Sequence, residues 1–471
     1  MRLGADVREG LWSRLTDEIE KYWERVDTAR VAPVLDPEGL RKALSEIDLD
    51  NGTDADAILD FVVRSLSDQQ VHTTHRRYFG LYNPAASTMG VVADALVAAF
   101  NPQLAAWSHN PFGAEVERFL VQALGRKFGY ADVDGVFASG GAEANHTAVL
   151  TALVRSMPDF RTTGADKRLP TMYVTPEAHD TLRRAAGLCG IGERAVRVVP
   201  TSADLRMDVR QLRDLLAADR AAGRRPFLVV GTAGTTSAGV IDPLEEIADA
   251  VASESVWFHV DAAWGGAAAL SERHRSVLAG IGRADSITFD AHKWLSVPMG
   301  AGIFLTRRTD ALRNTFDTHN VYMPRDAADL DIVDPFSHSI QWSRRFTGLK
   351  LFMTLAVAGW AGYSDLVDRQ IDLGDRLRSI LSERGWRIVN KTPLPVVCFN
   401  DPDGKTPDRA SVDALARRVV QSGRAWISSA LIGGRTPCLR ACITNYLTGE
   451  EDLVELADAL NAARKRLNDE R

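Results

Sequence analysis

Trp12, Leu15, Ile19 and Trp23 recur at helical spacing, and Ile58, Phe61, Val62 and Leu66 repeat the pattern after a polar break at Asp50-Asn51-Gly52-Thr53-Asp54. Nothing in this first stretch would cover both apolar faces. Residues 1–68 therefore read as a helical segment that packs on another domain or a second subunit. From about residue 135 the period changes. Short β-rich runs at Thr171–Thr175, Ala195–Val199, Phe227–Val230, Val256–Val260, Ser286–Phe289 and Gly302–Thr306 alternate with helical patterns. That alternation predicts an α/β domain with a mostly parallel sheet covered by helices, and ligands in such folds bind outside the carboxyl ends of the strands. Residues 307–341 are polar, acid-rich and irregular, a loop of the length that often carries function. Helices and strands alternate again from about 346. The expected division is a helical segment at 1–68, a large domain at 69–345 and a smaller α+β domain at 346–471.

Composition narrows the classes. A chain of 471 residues exceeds a single simple core. A formal net charge of −6 gives no support to nucleic-acid or acidic-membrane binding. Cys189, Cys398, Cys438 and Cys442 include no Cys-x-x-Cys pair, so neither a disulfide framework nor a metal site is indicated. The start, Met1-Arg2-Leu3-Gly4-Ala5-Asp6, lacks the apolar core of a signal peptide, and the longest apolar stretch, Leu351 to Gly362, is too short to span a bilayer. A cytoplasmic location is the expectation.

The chemistry concentrates at two strand ends. Ser286-Ile287-Thr288-Phe289 delivers Asp290, His292 and Lys293, and Val256-Trp257-Phe258-His259-Val260 delivers Asp261 followed by small residues. A lysine at the end of a buried strand is costly to keep as an ammonium, and the neutral amine is the form that makes a Schiff base. A strand-end carboxylate with a downstream strand-end lysine suits pyridoxal phosphate, the first for the pyridine nitrogen and the second for the aldehyde carbon. Ser139-Gly140-Gly141-Ala142-Glu143-Ala144-Asn145 opens a helix in the manner of a phosphate-binding turn. His179 and Thr235-Thr236 fall between these landmarks. His259 is read as structural, on the opposite side of its strand from Asp261.

With these motifs in place, the chain resembles a group II pyridoxal-phosphate-dependent amino-acid decarboxylase, the family of the aromatic-amino-acid, glutamate and diaminobutyrate enzymes. The resemblance spans roughly residues 70–450 and rests on Asp290-Ala291-His292-Lys293-Trp294 and His259-Val260-Asp261-Ala262-Ala263. Ala178-His179, Gly234-Thr235-Thr236, Arg344-Arg345-Phe346 with Leu349-Lys350, Asn110-Pro111 and the segment His75–Ser87 support it. It implies fold type I and a homodimer with shared active sites. It implies further that Lys293 carries the cofactor, Asp261 pairs with the ring nitrogen, Ala263 and His179 cover the two ring faces, Gly141, Ala142 and His292 meet the phosphate, and Thr236 lies close by. The implied reaction is loss of carbon dioxide from an L-amino acid through a quinonoid state. Tyr78, Phe79, Tyr82 and Trp107 give the substrate segment an aromatic character, so an aromatic or apolar substrate is expected, with Tyr78, Asn83, Pro84, Trp107 and Phe336 lining its pocket. The chain departs from the animal and plant aromatic decarboxylases in the loop around Asp331–His338, where Phe336 stands near their proton-donating tyrosine. Tyr322 or His338 is then the expected donor. An oxygen-dependent route to aldehyde, ammonia and peroxide is one alternative. An aminotransferase using Arg440 is another.

Overall fold

The computed structural model describes residues 2–165, 169–318, 330–401 and 408–469. The six strand patterns all form strands, and a seventh precedes them. In chain order they are β1 (Asp134–Ala138), β2 (Pro170–Val174), β3 (Val196–Val198), β4 (Arg225–Thr232), β5 (Trp257–Asp261), β6 (Ser286–Asp290) and β7 (Gly302–Thr306). They make one sheet in the spatial order β1-β7-β6-β5-β4-β2-β3. β7 runs antiparallel to both β1 and β6, and the remaining pairings are parallel. Phe227, Leu228, Val229 and Val230 are buried without alternation, as expected of a parallel strand covered on both faces. β1 escapes the sequence pattern because Asp134-Gly135 interrupts its apolar run.

The N-terminal pattern forms α1 (Ala5–Val26), α2 (Pro37–Ser45) and α3 (Ala55–Asp68). Asp36 and Asp54 cap the last two by accepting the amides of Gly39 and Ala57. This segment is fastened to the body at its exit. The amide of Val31 donates to the carbonyl of Gly423, and Tyr22 of α1 bonds His72. Two further helices, α4 (Thr88–Phe100) and α5 (Pro111–Lys127), lie against the first half of a long helix, Gly348–Glu383. That helix breaks at Gly359, whose φ of 66° is a conformation glycine adopts at little cost. Its residues Leu351, Leu355, Val367 and Ile371 join the main core, and Leu377, Ile380 and Leu381 join the C-terminal one. The expected boundary at 346 falls just before this helix, and the change of core occurs within it. The C-terminal domain is a four-stranded antiparallel sheet, β8 (Arg387–Ile388), β9 (Val396–Asn400), β10 (Ser428–Ile432) and β11 (Thr436–Cys442), in the order β8-β9-β11-β10. Among the described residues no helix is long and apolar enough to cross a membrane.

One ion pair locks α5 to the start of the long helix. Arg344 donates to both carboxylate oxygens of Glu117, the Nη1 bond measuring 3.0 Å, and Glu117 also accepts the amide of Gly348 at 3.0 Å. Both side chains are buried. A bidentate pair with a third donor meets the conditions under which two buried charges are tolerated.

Candidate active site

The carboxyl ends of β1, β2, β4, β5 and β6 carry the predicted residues to one edge of the sheet. β1 leads into Gly140 and Gly141, which opens the helix α6 (Gly141–Ser156). β2 leads to His179, β4 to Thr235 and Thr236, β5 ends on Asp261, and β6 leads to His292 and Lys293. Lys293 Nζ lies 2.9 Å from Asp290 Oδ2. His292 Nε2 faces the same oxygen at 3.8 Å, and beyond these two contacts the buried Asp290 carboxylate has no hydrogen-bond donor among the described residues. His292 accepts the amide of Ala301 on Nδ1 at 3.1 Å, so its proton sits on Nε2. Burial pushes its pKa below the ordinary imidazole value.

The glycine turn is closely fitted. A Cβ on Gly141 would stand 2.8 Å from Asp290 Oδ2 and 3.3 Å from the Ala263 methyl, and one on Gly302 of β7 would meet the Gly140 backbone at 2.5 Å. Glu143 accepts both the amide and the hydroxyl of Ser139, which pins the residue leading into the turn. The first amides of α6 lack intrahelical acceptors and open toward the same edge.

Asp261 is only 5% exposed, and its carboxylate is satisfied by two donors. Oδ1 accepts the amide of Ala263 at 3.1 Å, and Oδ2 accepts the side-chain amide of Asn145 at 2.9 Å. Asn145 also donates to Thr181 Oγ1, which is 2.9 Å from His179 Nδ1. Its oxygen faces His259 Nε2 at 3.2 Å. His259 thus lies on the same side of β5 as Asp261, and the expectation that it points the opposite way is overturned. Residues two apart on a strand share a face, and the strand period itself would have placed it correctly. Asn145 sits four residues beyond Gly141, on the same helical face, but nothing local identifies its partner in β5.

The substrate-segment residues separate. Tyr82 stacks on Trp264 with ring centroids 4.3 Å apart and donates to the carbonyl of Thr236, and Asn83 reaches Met299, six residues beyond Lys293. This portion, with the half-buried Pro84, borders the site. Tyr78 lies against Trp426 instead, with its hydroxyl on the amide of Leu81. Trp107 bonds Glu115 and Asp334, and Phe336 is buried between Ala105 and Trp342. His338 faces Asp134 at 3.3 Å, at the opposite end of β1 from Gly140. Within one subunit these contacts form a cluster apart from Lys293. Tyr322 lies outside the described residues. Arg440 is committed to the carbonyl of Thr236 and to Ser428, with its guanidinium over the Tyr82 ring, so it is not offered to a substrate carboxylate. Lys350, which with Leu349 belongs to the motifs that carry the resemblance but has no role assigned by it, bonds the carbonyls of Pro298, Met299 and Gly300 and shapes the turn after Lys293.

The donor set fits pyridoxal phosphate. Free amides at a helix start and an imidazole N–H suit a phosphate, a buried carboxylate suits a protonated ring nitrogen, and a lysine supplies the amine. Comparison with known proteins agrees. Residues 37–401 match the pyridoxal-dependent decarboxylase conserved domain. The chain is 28% identical to the aromatic-L-amino-acid decarboxylase of Bacillus atrophaeus, covering 99% of this chain and 98% of that protein. It is 32% identical to the L-2,4-diaminobutyrate decarboxylase of Rhizobium meliloti (strain 1021), covering 91% and 86%. A crystal structure of Oryza sativa TDC with PLP and tryptamine has the same fold, with a TM-score of 0.92 at 24% identity over 99% of both chains.

Burial of His259 yields a pH prediction. Its pKa is lowered from 6.5 to about 4, chiefly by desolvation, with Asp261 opposing the shift. Between these values the unfolded chain binds the proton that the folded chain refuses. Stability therefore falls as pH drops through that window, by up to about 3 kcal/mol from this group. Urea unfolding followed from pH 7 to pH 4 should show a shallower loss in His259→Gln than in the parent. Parallel curves would refute the assignment.

Proposed function

The chain belongs to the pyridoxal-dependent decarboxylase family, and from that premise we propose that it decarboxylates an aromatic or apolar L-amino acid to its amine. That it is a pyridoxal-phosphate-dependent amino-acid decarboxylase follows from the family. The substrate class rests chiefly on one observation. In the segment bordering the site, the exposed Leu81 and, in the turn after Lys293, the exposed Met299 flank the buried Tyr82, while the nearby Lys350 and Arg440 are both bonded to backbone carbonyls. A pocket so furnished favours a neutral side chain over an acidic one. Similarity to the aromatic-amino-acid decarboxylase over nearly the whole chain supports the same reading.

The geometry supports the following roles as part of the proposal. Pyridoxal phosphate, when bound, supplies a sink for the electron pair released as the Cα–carboxylate bond breaks. Lys293, whose Nζ is paired with Asp290, would hold it through that amine. The amides of Gly141 and Ala142 and the Nε2–H of His292 would hold its phosphate. Asp261 would keep a proton on the ring nitrogen, and Ala263 would leave room for one ring face. His179 accepts the Thr181 amide on Nδ1, which directs its Nε2–H outward over the other face. Thr236, anchored through its carbonyl by Tyr82 and Arg440, flanks the site. The amine outcome requires a proton delivered to the carbon that loses its carboxylate, and Tyr322 is our candidate donor. His338 takes that part only if the two subunits share a site.

A homodimer with shared sites is part of the proposal. Trp12 of α1 is 54% exposed and Phe100 of α4 is 82% exposed, and Val62, Leu66, Phe119 and Val357 are also exposed. Covering a side chain of this kind is worth about 1.5–3 kcal/mol. Charged side chains would have been the ordinary choice for a permanent solvent face.

Borohydride reduction of the loaded enzyme, followed by peptide mass analysis, should place the label on Lys293, and a label on any other lysine would refute the central assignment. Aromatic, aliphatic, glutamate and diaminobutyrate substrates should be compared with carbon dioxide, amine, ammonia and peroxide all measured. Carbon dioxide and amine from an aromatic or apolar substrate are expected. Preferential turnover of glutamate would reject the substrate class. Stoichiometric peroxide release would replace the amine by the aldehyde route that Phe336 suggests. Sedimentation should show a dimer, and removal of residues 1–60 should leave aggregates. A soluble, active monomer after that deletion would contradict the shared-site arrangement.

A further inference from the structure

Behind Asp261 runs a chain of buried polar groups that ends inside the sheet. Trp257 Nε1 donates to Ser286 Oγ at 2.8 Å, and Ser286 Oγ lies 2.8 Å from His259 Nδ1. His259 Nε2 lies 3.2 Å from Asn145 Oδ1, and Asn145 Nδ2 donates to Asp261 Oδ2 at 2.9 Å. All five side chains are at most 5% exposed, so none can exchange its partner for water.

Valence rules leave this chain one direction. An ionised carboxylate only accepts, so the amide nitrogen of Asn145 must face Asp261, and its oxygen must face His259. That oxygen requires a proton on His259 Nε2. A neutral imidazole then has a bare Nδ1, which accepts the Ser286 hydroxyl, the Ser286 backbone lying within hydrogen-bond range of the same ring. The Ser286 oxygen in turn accepts from Trp257, whose indole can only donate. Every N–H and O–H points toward Asp261. Thr288 Oγ1, 3.3 Å from His259 Nε2, is the other polar group at that nitrogen, and the Phe304 ring lies alongside the imidazole. The second N–H of Asn145 goes to Thr181, the partner of His179. A single amide therefore ties the residue assigned to the ring nitrogen to the residue assigned to the ring face.

We propose that Asn145 and His259 are positioning residues, and that Ser286 and Trp257, by fixing the His259 tautomer, orient Asn145 so that it sets both Asp261 and His179 toward the cofactor. The inference rests on the cofactor reading above and deepens it. Aligned buried donors polarise one another, so the hydrogen bond arriving at Asp261 is stronger than an isolated amide would supply. Breaking the chain at His259 strands Asn145 Oδ1 without a donor. The amide can then rotate, and both arms lose their register. A purely space-filling role for His259 would leave the tautomer undetermined and would accept any side chain of similar volume.

The test joins a direct observation to a rescue pair. Nitrogen-15 correlation spectra of histidine-labelled enzyme, with the His259 signal identified by its loss in His259→Gln, should show the Nε2–H tautomer, and Ser286→Ala should shift it toward a tautomer mixture. Cofactor release should then be followed by decay of the visible absorbance after dilution. His259→Leu, which can neither donate nor accept, should release the cofactor on the order of 10-fold faster. His259→Gln, which can do both, should stay near the parent rate. An Nδ1–H or doubly protonated His259 in the parent would overturn the proposal. So would equal release rates for the Leu and Gln variants, whether fast or slow. A parent enzyme that takes up no pyridoxal phosphate would strike the cofactor reading instead, and the tautomer measured on that cofactor-free protein would still decide this one.

Discussion

A carboxylate buried at the end of a central strand has to be answered by donors or by a cation, and at Asp261, among the described residues, donors do it alone, with much of the site arranged around them. Leaving such a group unpaired costs several kcal/mol, more than most single contacts in the fold return. Its two donors come from different directions. The Ala263 amide belongs to the turn that follows β5, and the Asn145 amide belongs to the first turns of α6. The helix that opens at the glycine turn is thereby held in register with the strand that ends on the acid. The glycines at 265 and 266 that follow are set by close packing of this turn on its neighbours. A Cβ on Gly265 would stand 2.2 Å from the Ala233 carbonyl.

The C-terminal domain contributes from behind. Arg440 on β11 holds the Thr236 carbonyl, and Tyr82 sits between Arg440 and Trp264. Glu177 accepts the Ser237 hydroxyl and the Gly433 amide, joining the segment before His179 to the turn between β10 and β11. The two sheets and their cores thus meet through loops that also border the site. Their relative placement is tied to site geometry as well as to core packing.

Much of this was legible in the chain. Strand ends could be read because each buried strand is a short apolar run that stops at a polar or small residue, as at Asp261 and Asp290. The lysine, the acid and the glycine turn carried their chemistry in their own neighbours. Partners distant in sequence were not legible. Asn145 gives no local sign that it serves an acid 116 residues further on. His259 was misassigned by a slip of one strand position, although the two-residue period held the answer. The aromatic residues of the substrate segment were ambiguous for a different reason. Tyr78, Tyr82 and Trp107 suit a pocket wall and a packed interior equally well, and only tertiary contacts distinguish Tyr82, locked under Thr236, from Tyr78, turned toward Trp426.

The antiparallel strand β7 passes so close to the phosphate turn that Gly302 and Gly140 meet backbone to backbone. A side chain at Gly302 would run into the Gly140 backbone, and β7, paired along its whole length on both sides, cannot shift to make room for it. Position 302 is consequently held as glycine by the turn beside it. A lineage could remodel the substrate segment freely while this contact stays frozen. Substrate range can thus diversify across such enzymes far faster than the cofactor they use.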